Sequence, residues 1–376
     1  MRLAPIIFLA LLFAPLPTSA APWQIETITT GLKHPWAMVF LDEQQILISE
    51  RAGSLRLLHK GTSQSTEVIG TPDSYVHSQG GFQDLVLHPR FAENGWIYLS
   101  FAHGSAGANS TRVVRGRINE GRWVDEQEIF TATPDKNTPV HYGSRMAFLS
   151  DETLLISVGD GFDFREHAQQ LDSHLGKIVR VTDRGDIPAD NPYLGQPDAL
   201  PEIFTIGHRN AQGIVVDLAT NRIWVHEHGP RGGDELNLLK AGSNYGWPVA
   251  THGIDYSGAR ISPYTSRPGM VDPLLVWTPS IAPAGMTRYH GERFPEWQGD
   301  LLITSLAERS LRRVLLDGDR VVGQEVIALD LDRRLRDVEI GPEGAIYLLT
   351  DEPDGALLRV TANADLSGAS QNQLPR

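Results

Sequence analysis

The chain has 376 residues, 41% hydrophobic and 21% charged, with 36 Gly and 24 Pro, a globular composition that excludes a disordered or collagen-like polymer. Lys and Arg number 33 against 46 Asp and Glu, for a net charge of −13. That balance repels phosphate backbones and anionic lipid, so it argues against nucleic-acid binding and a peripheral-membrane role, and for small neutral substrates and cations.

In chain order, Met1-Arg2, an apolar run from Leu3 to Leu16 and the small residues Ser19-Ala20-Ala21 form the pattern of a secretory signal peptide. Residues 1–20 are predicted to be the leader, and 21–376 one exported domain. The apolar run is shorter than the roughly 20 residues a membrane span needs, and no later segment qualifies, so no membrane insertion is expected after the leader is removed. Without any Cys, the exported protein must be held by core packing and bound ions, and the expected location is periplasmic or secreted.

Helical periodicity is nearly absent. Instead a short apolar strand, a turn with Asp, Asn or Gly, and a second apolar strand recur six times. The pairs are Ala37–Phe40 with Gln45–Ile48, Leu85–Leu87 with Trp96–Leu99, and Met146–Phe148 with Leu154–Ser157, followed by Gly213–Val216 with Ile223–Val225, Met286–Tyr289 with Leu301–Ile303, and Val338–Ile340 with Ala345–Leu349. Third strands such as Leu55–Leu58, Ile178–Val181, Leu311–Leu315 and Leu357–Val360 extend several of them. A small sheet that cannot bury both faces alone, repeated along the chain, predicts an all-β fold: a six-bladed β-propeller of four-stranded antiparallel sheets. Stacked sandwiches also use short strands but do not explain the repeat. The connections between repeats are short, which predicts an open pocket, and the tail from about residue 362 reads as frayed.

Loops joining propeller blades gather at one mouth of the central channel, so polar residues at equivalent strand entries should converge. Gln79, His141, the pair Arg209-Asn210, and Arg334 with Arg336 stand at such entries. Together they make a cationic pocket in an acidic protein, suited to a planar polyanion because guanidinium pairs its donors with carboxylates. Asp160 ends the unit that His141 opens, within reach to orient an imidazole. The loop from Glu227 to Glu235 presents carbonyls through its Gly and Pro and carries flanking carboxylates, hard oxygen donors that suit Ca²⁺. His226 and His228 could suggest zinc, but no Cys or matching third ligand accompanies them. Neither a Gly-x-Ser-x-Gly elbow nor a Gly-x-Gly-x-x-Gly loop opening a helix is present, which removes the usual serine hydrolase and nicotinamide sites.

Read in order, Gln79-Gly80-Gly81, His141-Tyr142-Gly143-Ser144-Arg145, Gly159-Asp160-Gly161, Gly207-His208-Arg209-Asn210-Ala211-Gln212-Gly213, His228-Gly229-Pro230 with Asp234-Glu235-Leu236-Asn237, Gly242–Pro248 and Arg334-Leu335-Arg336-Asp337 resemble the soluble quinoprotein aldose sugar dehydrogenases, relatives of soluble glucose dehydrogenase and the glucose/sorbosone dehydrogenases. The resemblance spans nearly the whole mature chain. It implies pyrroloquinoline quinone (PQQ) with Ca²⁺ beside it, an aldose oxidised at C1 to a lactone by hydride transfer to the quinone C5, and electrons passed to an external acceptor. By the same resemblance His141 is the base, Asp160 orients it, and Arg209 and Asn210 donate to the C5 oxygen. His228, Ser280, Arg309, Arg334 and Arg336 bind the cofactor, and Gln79 touches the sugar. Carbonyls of Gly229 and Pro230 hold Ca²⁺ at PQQ, and Glu235 with the Tyr245 carbonyl hold a second Ca²⁺. Two positions depart from glucose dehydrogenase: Val140 replaces an acid before the catalytic His, and Ala307 stands where a cofactor-binding Lys is expected, with Arg309 as its substitute. Two other classes share these features: a propeller lactonase with a central ion on side-chain carboxylates, and a non-catalytic exported binding propeller.

Overall fold

The computed structural model describes residues 23–62, 64–327 and 330–363; the predicted leader and the tail after residue 363 lie outside the described residues. Within them the repeats form six four-stranded antiparallel sheets. The innermost strands are Pro35–Phe40, Phe82–Leu87, Gly143–Phe148, Ala211–Asp217, Pro283–Arg288 and Leu335–Ile340. Each packs against the innermost strands of the blades on either side, which closes the ring. The apolar pairs read from the sequence are the first two strands of each blade, with Met38 opposite Ile48 and Leu85 opposite Leu99; only Trp96, Tyr289 and Ala345 fall one residue outside.

The sixth blade is completed from the other end of the chain. Trp23–Leu32 pairs with Gly355–Ala362, in a register running from Trp23 opposite Ala362 to Leu32 opposite Gly355. This joins the first and last segments in one ladder and leaves no seam where the ring would open. The alternation Trp23-Gln24-Ile25-Glu26 carries the strand signal, but no turn partner follows it, so the repeat pattern passes over it.

Apolar side chains interdigitate between neighbouring sheets, as where Trp36, Leu47 and Leu55 of the first blade meet Phe82, Leu99 and Phe101 of the second. On the axis the filling is polar. Arg145 bonds Asp84 Oδ1 at 2.8 Å and Asp337 Oδ1 at 3.0 Å, donates through Nε to the Gln212 carbonyl at 2.7 Å, and lies 4.1 Å from the Trp36 ring. The two carboxylates also accept the Met146 and Met38 amides, so with the Gln212 carbonyl one buried triad ties five innermost strands. Glycine makes room on the axis: a Cβ at Gly285 would sit 2.5 Å from Asp337 Oδ1, and one at Gly213 would sit 2.3 Å from His226 Nε2. Every innermost strand has an irregular register near its start, and such bulges re-aim the residues just before it toward the axial mouth.

Candidate active site

At that mouth the turns entering the innermost strands meet the residues leaving the second strands. They enclose a cavity of about 210 Å³ lined by the strand-entry residues Gln79, Asn210, Arg334 and Arg336 and by His228, while His141 and Arg209 are not among its lining residues. Trp36, Arg51 and Gln83 line it as well, and sequence reasoning missed them. Aligning the ends of the second strands would have found Arg51, because it directly follows Glu50 as His228 follows Glu227 and Asp351 follows Thr350.

His141 is placed by its own backbone. Its φ of +52° is left-handed, a conformation that costs on the order of 1 kcal/mol for a side chain of this kind, and its amide donates to Gln79 Oε1 at 2.8 Å. The ring Nδ1 lies 2.7 Å from Asp160 Oδ1. Asp160 is fully buried; Oδ1 also accepts the Phe162 amide at 2.8 Å, and Oδ2 accepts Trp247 Nε1 at 2.8 Å. A carboxylate only accepts, so Nδ1 carries the imidazole proton and Nε2 remains a free acceptor. Burial lowers the His141 pKa, helped by Arg209 and Lys136 and opposed by Asp160. Although burial works against it, the hydrogen bond from His141 and the charge of Arg209 keep Asp160 below the usual carboxylate range. The pair is therefore a neutral base beside a fixed anion at neutral pH, ready to take a proton.

Lys136, which the sequence did not mark, clamps both loops of this pair. Its Nζ donates to Asn109 Oδ1 at 2.9 Å and to the Thr138 carbonyl at 2.6 Å, and lies 3.5 Å from the centre of the Tyr142 ring. Tyr142 in turn donates to Asn109 Oδ1 at 2.7 Å, and Thr138 donates to the Gly161 carbonyl at 2.6 Å. Burial pushes the ammonium down to about 7. In Lys136→Met, His141 loses one of the two cations that face it, Arg209 being the other, while Asp160 stays; its pKa should rise. A base works only above its pKa, so the acid limb of a kcat/KM profile should move to higher pH; an unmoved limb would leave Lys136 with packing alone.

Arg209 and Asn210 sit on a turn pinned by the buried Glu227, which takes the Arg209 amide and His208 Nδ1, while the His208 ring stacks on Tyr245. Asn210 Oδ1 accepts the Gly143 amide at 3.1 Å, which turns its amide group toward the cavity. Asp234 accepts the Gly229, Ile281 and Ala282 amides and the Ser280 hydroxyl. Of the carboxylates in and beside this loop, Glu227 and Asp234 are therefore occupied in shaping the 229–230 and 280–282 turns, and Glu235 takes no part in these bonds.

Gly229 packs so tightly that a Cβ would lie 2.3 Å from the Gly233 backbone. Its carbonyl accepts Arg209 Nη1 at 2.8 Å, whereas the Pro230 carbonyl has no donor among the described residues. Beside this turn a void of about 10 Å³, the room of a single water-sized centre, is lined by Glu235, Tyr245, Glu227 and Gly229. Burial and then the neighbouring Glu227 push the Glu235 carboxyl up to about 8. His226 is buried on the axis side, and His228 Nε2 donates to the Pro283 carbonyl at 2.7 Å, so these two do not face a common centre.

Three predicted cofactor contacts, Arg209, Ser280 and Arg309, are not among the cavity-lining residues; Arg209 lines the small void beside Glu235 instead. Ser280 spends its hydroxyl on Asp234, and Arg309 is exposed, paired with Asp332 at 2.8 Å. Arg51 provides the third guanidinium instead, with no side-chain partner among the described residues. The predicted openness holds only in part: within-blade segments 159–176 and 239–274, rather than the short connections between blades, raise a wall over one side.

The Glucose / Sorbosone dehydrogenase family matches residues 32–359, most of the chain. The chain belongs to that family. Its relatives include an uncharacterised protein of Synechocystis sp., 44% identical over 351 residues covering 89% of this chain and 85% of the other. Aldose sugar dehydrogenase YliI of Escherichia coli is 39% identical over 365 residues, 96% of this chain and 97% of its own. The structure of the soluble Escherichia coli enzyme in its apo-form matches with a TM-score of 0.87 over 91% of this chain and 100% of that one, at 39% identity. The PQQ-bound aldose sugar dehydrogenase of Streptomyces coelicolor matches with a TM-score of 0.74 over 91% and 100%, at 25% identity. Membership of the glucose/sorbosone dehydrogenase family makes the protein an oxidoreductase acting on sugars.

Proposed function

We propose that the protein is an exported, PQQ- and Ca²⁺-dependent aldose dehydrogenase that oxidises the anomeric carbon to a lactone and passes the electrons to an external acceptor. The observation that carries this reading is the cationic cavity beside the His141–Asp160 pair. Arg51, Arg334 and Arg336 face it, Asp351 pairs with the latter two, and Arg336 Nε is buried with no partner among the described residues. A buried donor left unpaired is costly, and the carboxylates of a planar tricarboxylate would satisfy it. The PQQ-bound relative supports the same assignment.

Arg51, Arg334 and Arg336 would hold the cofactor's carboxylates, with His228 on its edge and Arg209 and Asn210 donating to its quinone oxygens. The Gly229 and Pro230 carbonyls would hold Ca²⁺ at the cofactor, and the void at Glu235 and Tyr245 fits a second ion. The chemistry supplied by the bound group is two-electron acceptance, with Ca²⁺ as a Lewis acid. The chain's own residues do the rest. Gln79 fixes a sugar hydroxyl, and His141 Nε2 takes the proton of the C1 hydroxyl as C1 gives up its hydride to the bound two-electron acceptor. Asp160 stabilises the imidazolium that results, and the fixed donors of Arg209 and Asn210 stabilise the negative charge that grows opposite it. The lactonase alternative needs side-chain carboxylates around an ion, and Glu227 and Asp234 are already spent on the protein's own amides. Export rests on the leader read from the sequence; among the described residues no helix is long and apolar enough to cross a membrane.

The test is a titration of purified protein with PQQ and Ca²⁺, followed by glucose. Saturable binding and then reduction of the cofactor spectrum are expected, and absence of binding at micromolar cofactor would overturn the reading. A second expected result is that chelation lowers the melting temperature and that Ca²⁺ restores it in a concentration-dependent way, with Glu235→Gln losing part of the restored increment.

A further inference from the structure

The three guanidiniums at the axial cavity are linked through one half-buried imidazole, His34, at the junction of the first and sixth blades. Its backbone has a left-handed φ of +50°; its amide donates to the Glu352 carbonyl at 2.9 Å, and its carbonyl accepts the Arg51 amide at 3.0 Å. Its ring Nδ1 lies 2.9 Å from Oδ1 of the buried Asp351. Although burial works against it, the charge of Arg336 and the bond from His34 hold the Asp351 carboxyl well below the usual carboxylate range. A carboxylate only accepts, so His34 Nδ1 is the donor. The other oxygen, Oδ2, takes Arg336 Nη2 at 2.6 Å and Arg334 Nη2 at 3.4 Å.

Guanidinium and carboxylate pair best through two parallel bonds, and Nε with Nη2 is one of the edges that Arg offers for such a fork. On Asp351 the fork is half made. Arg336 Nη2 is bonded, whereas Arg336 Nε is buried with no partner among the described residues. The Asp351 oxygen that would complete the fork is the one held by His34. A buried donor without a partner is costly, so the open Nε persists only while something stops Asp351 from turning onto it. We infer that His34 is a positioning residue for the cofactor pocket: by holding Asp351 Oδ1 it keeps the fork open, and Arg336 Nε stays free for a carboxylate of the incoming ligand. This assignment rests on the cofactor reading above. His34 itself is not among the cavity-lining residues; it acts through Asp351, as a supporting residue that fixes a binding group in advance of its ligand.

The experiment uses two substitutions that both accept the left-handed backbone and keep its bonds to Glu352 and Arg51. His34→Asn offers an amide N–H near the place of Nδ1, and His34→Gly offers no donor. In a titration with PQQ and Ca²⁺, His34→Gly should bind the cofactor at least about tenfold more weakly than wild type, the loss of one charge-assisted bond, while His34→Asn stays within about threefold. Without cofactor, the melting temperatures of the two variants should agree within about 3 °C, the span of one glycine's added chain entropy, because in His34→Gly the Asp351 oxygen exchanges one donor for another. The crystal structure of cofactor-free His34→Gly should show Asp351 Oδ1 within hydrogen-bond distance of Arg336 Nε. Equal affinity in all three proteins, equal weakening by both substitutions, or a larger loss of stability or of folding in His34→Gly overturns the inference. If wild-type protein binds no PQQ, the cofactor reading fails, and the cofactor-free structure of His34→Gly alone decides. Asp351 turned onto Nε upholds the positioning role, and Asp351 unmoved overturns it.

Discussion

Replacing His141 by Gln is expected to lower kcat by about 10²-fold or more, the contribution typical of a positioned general base, while titration with PQQ and Ca²⁺ stays close to that of the wild type. Gln is close in size and keeps a polar amide where Nε2 stands, but it offers no basic nitrogen there to take a proton. The cofactor-facing guanidiniums are on other blades and keep their own ties, Arg336 to Asp351 at 2.6 Å and Arg209 to the carbonyls of His228 and Gly229. Loss of cofactor binding in this variant would make His141 a structural residue, its left-handed backbone and its bond to Gln79 being what matters.

The second large effect is on stability. Arg145→Met should cost about 3–5 kcal/mol in denaturant unfolding, because it leaves Asp84 and Asp337 buried on the axis without their cation. Burial already raises both carboxyls, Asp337 to about 6, even with the guanidinium present. Their folded values lie above those of the unfolded chain, so folding takes up protons. The penalty is full above the folded pKa and fades as pH falls toward the unfolded one. The variant should therefore approach wild-type stability as pH drops from 7 toward 5, and adding Asp84→Asn should recover part of the loss at pH 7. A cost that is small, or independent of pH, would mean that water or a shifted side chain solvates the triad.

The six strand pairs were legible because each alternates apolar residues against a turn of Gly, Asp or Asn, a signal carried within about twenty residues of chain. The strand-entry residues were legible for the same reason: once repeats are aligned, equivalent positions in different blades must meet at the mouth. Trp23–Leu32 was not legible, since its partner Gly355–Ala362 lies at the opposite end of the chain and no local turn announces the pairing. Arg309 and Arg51 show the same limit in the site. Near the expected Lys position the sequence offers a cation at Arg309, but the chain turns it outward to Asp332, and a residue more than 250 positions earlier fills the cavity.

By itself, then, the sequence determined the blade repeat, the acidic body with a cationic mouth, and the His141–Asp160, Arg209-Asn210 and Gly229-Pro230 positions, all of which follow from local patterning and order. Only the tertiary structure decided which carboxylates are free and which are spent, because Glu227 and Asp234 are claimed by backbone amides that converge only on folding. It also decided that Lys136 buttresses the base and that Phe162 stacks on Tyr256. Those contacts join segments from different strands or blades, and no periodicity along the chain encodes the distance between two side chains that meet only when the ring closes.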